Sequence, residues 1–284
     1  MSEAAFPGWH PHLDTWLLLA VLAAAYLRTV RREDRRLREG GGDPAPSQPP
    51  TTRRQKVTFL SGVAVLWLGS DWPVHDLAEG YLYGVHMTQH LVFTLVAALL
   101  LVAGTPAWMA RRLLRPAWLR AAVQALARPV PALVQANVVL VLSHWPLVVN
   151  TTVRVHPLHF VAHAVLLASA VLMWLPVASP LAEIPRLRPP LQMLYLFGQT
   201  ILPTVPASFL TFGTHPLYEA YASLPRLWGI SVLADQQLAG LIMKLLGGFY
   251  LWIAITVIFF RWSAREDEAG DVLLYEDVEH ELLR

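Results

Sequence analysis

The sequence predicts an all-α fold: a polytopic bundle of seven transmembrane helices, N-terminus outside and C-terminus cytoplasmic. Three observations lead there. The 284 residues are 55% hydrophobic and only 15% charged, against about 45–50% and about 25% in a soluble domain. Seven apolar segments recur along the chain, most of them near the ~20 residues that cross a bilayer core. Of the 22 Lys and Arg residues, 19 fall in alternate connections and the tail, and basic loops stay cytoplasmic.

The first segment spans about Leu13 to Val30. It follows MSEAAFPGWHPH, with no basic region and no evident cleavage site, so it reads as a retained helix, not a signal peptide. A cytoplasmic loop over 31–56 comes next. It carries Arg31, Arg32, Arg35, Arg36, Arg38, Arg53, Arg54 and Lys56, and Gly40 to Thr52 reads as a flexible linker within it. The second segment is about Val57 to Ser70, and the third about His86 to Gly104. Arg111, Arg112, Arg115, Arg120 and Arg128 separate the third from the fourth, about Val130 to Val149. The fifth is about Pro157 to Val177, followed by Arg186 and Arg188. The sixth, about Leu191 to Phe212, contains Pro203 and Pro206, which remove backbone donors and predict a kink. The seventh runs from about Val232 to Phe260. The opposite loops hold only Arg154 and Arg226. The membrane domain is thus expected over 1–262, with an acidic cytoplasmic tail over 263–284. A solvated tail is expected there, a surface helix being the alternative.

There is no cysteine, which excludes disulfides, thiolate metal sites and c-type haem attachment in this chain. Nucleotide-binding glycine loops and hydrolase signatures are absent. The basic loops are accounted for by topology, so no nucleic-acid partner is expected, only membrane lipid.

The chemistry lies in the histidines. Ten of the eleven fall on the expected outer side. His86 and His90 are four apart, as are His159 and His163, and residues i and i+4 share a helix face. At 1.5 Å per residue, His90, His144 and His163 sit roughly 6–10 Å inside the outer boundary. Two facing pairs supply four nitrogen ligands, suited to copper, zinc or iron. His144 and His75 are candidate further ligands. Asp71, Asp235 and Lys244 are candidates for supporting roles, as carboxylate partners of an imidazole or as an intramembrane charge. Asp76 is either a ligand or a turn residue, and Asp235 is also suited as an anion at its own helix N-terminus. His10, His12, His215 and His280 read as isolated interfacial residues, and Met87 as a packing residue.

Two motifs carry a resemblance. His86-Met-Thr-Gln-His90 running on to Gly104-Thr-Pro106, and Asp235-Gln-Gln-Leu-Ala-Gly-Leu-Ile-Met-Lys244 before a glycine pair, are similar to segments of the CtaG-type cytochrome c oxidase assembly family. That family is associated with caa-type haem-copper oxidases. The resemblance covers about residues 55 to 262. It implies a multi-pass protein of the bacterial plasma (inner) membrane that helps deliver copper to a cytochrome c oxidase subunit; a periplasmic or extracytoplasmic copper donor is a further expected partner. A non-enzyme is expected. The alternatives are a haem b-binding cytochrome, a membrane redox protein and a metal transporter.

Overall fold

The computed structural model describes residues 5–39 and 51–282, with side chains as far as 266. Among them every regular element is helical. In chain order these are α1 (Leu13–Arg38), α2 (Arg53–Gly69), α3 (Val74–Gly80), α4 (Tyr83–Gly104), α5 (Ala107–Leu113), α6 (Ala117–Leu126) and α7 (Pro129–Ser143). Then follow α8 (Pro146–Arg154), α9 (His156–Ala178), α10 (Pro189–Ile201), α11 (Thr204–Phe212), α12 (Glu219–Ala222) and α13 (Val232–Leu282). Most of the expected linker lies outside the described residues. Thr51 and Thr52 are described, and Thr52 caps α2 by a reciprocal pair of bonds with Gln55.

Every apolar segment is helical, but the spans are not uniform. α1, α4, α9, the α10–α11 pair and the first 35 residues of α13 are each long and apolar enough to cross a membrane. α2 and α7 reach that length only with their bent neighbours α3 and α6. By themselves their 17 and 15 residues extend about 26 and 22 Å. The fourth segment, expected as far as Val149, ends at Ser143. His144 forms its C-cap, and Pro146 opens α8 at a first-turn position, where its missing N–H costs nothing. The expected break in the sixth segment falls at Leu202-Pro203. The backbone of α13 continues as helix into the acidic tail.

α4 is the centre of the bundle and packs against α2, α3, α9 and α13. It contributes to all three apolar cores: Leu95, Ala98 and Val102 to one, Phe93 and Ala97 to a second, and Tyr83 and Met87 to the third. Met87 is thus a packing residue. Gly104 permits the close crossing of α2, because a Cβ there would lie 2.6 Å from Phe59 Cα. The middle of α4 is a π-helical turn over Val92–Ala97. There Ala98 N–H donates to Phe93 O, five residues back, and the Trp174 indole of α9 donates to Thr94 O at 2.9 Å. Such turns recur at functional sites, and this one begins two residues after His90.

The outward faces stay apolar: Leu17 and Val21 on α1, and Phe249, Trp252 and Ile253 on α13, are exposed. That surface suits lipid contact, where all backbone polar groups must be satisfied within helices. The two ends of the bundle differ. One end joins basic side chains to acids, as in the Lys56–Asp34 and Arg111–Glu183 pairs, each at 2.8 Å. The Arg111 guanidinium donating to Glu183 holds that carboxyl below the usual carboxylate range. The other end carries the histidines.

Candidate metal centre

Helical spacing brings the two histidine pairs together. On α4, His86 and His90 have ring centroids 4.2 Å apart; on α9, His159 and His163 are 4.4 Å apart. Because α4 and α9 pack side by side, the pairs face each other, with His86 5.4 Å from His159 and 5.6 Å from His163. His86, His159 and His163 each offer a ligand atom, all within 4.8 Å of one another. His90 Nε2 lies 3.1 Å from His163 Nε2. Metal–nitrogen bonds of about 2.0 Å set tetrahedral nitrogens roughly 3.3 Å apart, so small side-chain shifts suffice to gather the His86, His159 and His163 nitrogens around one ion.

The donor chemistry fits a cation. His86 and His159 are buried, and His86 Nδ1 and His90 Nδ1 have no hydrogen-bond partner. Buried polar atoms are rarely left so. His144, at the end of α7, stands edge-on to His90 at 6.3 Å. Its Nδ1 is 2.7 Å from Leu140 O, and because a carbonyl oxygen can only accept, Nδ1 carries the proton. That leaves the lone pair on Nε2, a buried atom without a partner. Backbone bonding of one nitrogen to free the other is the usual way an imidazole is prepared as a ligand.

His75 joins at one remove. Its Nε2 is 3.4 Å from Glu79 Oε1, and the same oxygen is 3.0 Å from His159 Nε2. Glu79, four positions after His75 on α3, is a further residue beside the cluster that is not among the sequence-predicted candidates. The other three candidates lie apart from the imidazoles. Asp71 accepts from the Trp16 indole and the Trp72 amide, both at 2.9 Å. Lys244 donates to Thr204 and lines a separate cavity of about 80 Å³ with Asn137 and Gln199. Asp235 accepts from Tyr83 N–H at 2.8 Å and Gly84 N–H at 2.9 Å. It is therefore an anion in the first turn of its own helix, as expected, and also at the N-terminus of α4. Arg226 Nη1 flanks it at 3.4 Å.

Aromatic residues close the site on the α4 N-terminal side. Tyr83 stacks near His86 at 5.9 Å, and Tyr221 contacts both rings. Tyr218 donates to His144 O at 2.9 Å.

The cytochrome c oxidase caa3 assembly factor (Caa3_CtaG) family model matches residues 24–265 of the chain. The chain belongs to that family. The resemblance carried by the His86–His90 and Asp235–Lys244 motifs is thereby borne out. Comparison with curated proteins and with solved structures gives no match. All the members of the imidazole cluster fall within the Caa3_CtaG match, as do His75 and Glu79. His10 and His12 precede it.

Proposed function

We propose that this Caa3_CtaG protein binds copper at the His86, His90, His159 and His163 cluster and passes it to a subunit of a caa3-type cytochrome c oxidase. The observation that carries the reading is the convergence of these four imidazoles, with unpartnered buried nitrogens, between two adjacent helices. Imidazole donors suit copper, as they do zinc and iron. The family supplies the destination.

In this reading α2 and α7 complete seven spans, with the arginine end cytoplasmic and the histidine end outside. Copper is cargo, not a resident cofactor, and the protein is not an enzyme. An extracytoplasmic donor loads the cluster. His86, His159 and His163 hold the ion, and His90 stands beside His163 as the next ligand. Three ligands leave an open coordination position, so a ligand on the oxidase can displace one imidazole at a time. His144 supports the far side, Glu79 steadies His159, and Asp235 fixes the start of the helix that presents His86.

The crowding of the rings favours a bare ion over haem b, because a porphyrin needs a flat slot between its axial ligands. The test is made in cells that carry the oxidase. With the His90→Ala/His163→Ala variant as sole copy, the purified oxidase should contain haem but be deficient in copper. Oxidase with full copper from those cells would overturn the proposal, and a Soret band in the purified assembly factor would favour haem binding.

A further inference from the structure

We infer that His10, His12 and Asp76 form a second metal site, at which a cation is taken up before it moves inward to the buried imidazoles. His10 Nε2 is 3.0 Å from Asp76 Oδ1, and His12 Nε2 is 3.1 Å from Oδ2. One carboxylate thus brings two imidazoles together, their centroids 4.6 Å apart, and the three ligand atoms lie within 4.8 Å of one another. His12 immediately precedes α1, yet its side chain does not cap that helix; it turns to α3 instead. Two imidazoles and one carboxylate suit a divalent first-row cation such as Cu²⁺ or Zn²⁺.

A second observation links this cluster to the buried one. A cavity of about 200 Å³ is lined by His12, His75, Glu79, His156, His159 and His163. His12 and His75 rings are 5.0 Å apart, and Glu79 Oε1 stands between His75 and His159. The path leads from the exposed His10 side chain, at 55%, to the buried His159, at 7%, with His12, His75 and Glu79 partly buried between them. A cation can therefore move by ligand exchange, never far from an imidazole or carboxylate. The charge of the carboxylates Asp76 and Glu79 offsets part of the cost of its desolvation. The family match begins at residue 24, so the first two ligands belong to a part of this chain outside the matched region.

The inward step rests on the proposed buried metal site; the outer site does not. Full-length protein in detergent is titrated with Cu²⁺ and followed by EPR, and filling of the buried site is timed at sub-stoichiometric copper. Wild type should show two signals, one from mixed nitrogen and oxygen ligands and one from nitrogen alone. His10→Ala/His12→Ala should lose the first signal and its share of bound copper, and fill the second more slowly. Asp76→Asn, which retains the size of the side chain, should weaken the first signal. Unchanged copper uptake and signals in both variants would overturn the outer site. Loss of the first signal with unchanged filling of the second would overturn the relay. His86→Ala/His163→Ala should keep only the first signal; if it keeps both, the buried-site reading fails while the outer site stands.

Discussion

Replacing Asp235 by alanine should destabilise the bundle and empty the imidazole cluster together. Asp235 is 2% exposed and accepts two backbone N–H groups at 2.8 and 2.9 Å. Those amides open α4, where no carbonyl of the helix itself can reach them. Hydrogen bonds to a charged group contribute roughly 1.5–3 kcal/mol each, so losing both costs about 3–6 kcal/mol. Arg226, at 3.4 Å, is also left without its carboxylate, and breaking one side of a buried pair costs about 3–5 kcal/mol by itself. The two figures overlap because they describe the same carboxylate. Thermal unfolding in detergent, read by tryptophan fluorescence, should show Tm falling on the order of 10 °C. Asp235→Asn keeps one acceptor oxygen and should lose about half as much. Copper bound per chain should fall in parallel in the alanine variant, because His86 lies only two residues beyond Gly84. A variant with wild-type Tm and wild-type copper content would refute the reasoning.

Three further outcomes follow from the packing. Gly104→Ala should cost about 1–3 kcal/mol through overpacking against the Phe59 backbone; wild-type thermal stability would contradict the close crossing of α2 and α4. Glu79→Gln removes the carboxylate between His75 and His159 and should weaken copper binding about 10–100-fold, measured by competition with a chromogenic chelator; an unchanged affinity would count against its role. Lys244→Met should leave copper content unchanged, since Lys244 pairs with Thr204 beside a separate cavity; a marked loss of copper would show that the two regions are coupled.

The parts of this fold that can be read from the chain are those set by short-range periodicity. An i,i+4 pair shares a helix face whatever the tertiary structure, so His86/His90 and His159/His163 could be recognised as pairs. Their meeting required only that α4 and α9 pack together. The break at His144 was less accessible. Its apolar surroundings continue to Val149, and Pro146 is tolerated at the first turn of a new helix as well as in a kinked one. The π turn after His90 has no residue signature; it is stabilised by the Trp174 bond from another helix. The partners of the carboxylates depend on packing most of all. Asp235 serves α4 across 151 residues, and Asp76 meets His12 across 64. His10 and His12, each read alone as interfacial, gain a common partner only when α3 is laid beside the start of α1. Glu79 was within reach of the i,i+4 rule but sits in a segment that, read as a loop, offered no helix to which to apply it.

The proposed site holds one copper ion by His86, His159 and His163 on α4 and α9, with His90 beside them as the next ligand. It is tested most directly by metal analysis of the purified protein after copper loading and removal of excess metal. His90→Ala/His163→Ala should lower bound copper relative to wild type while the protein remains folded by circular dichroism. Equal copper in the folded double variant would contradict it.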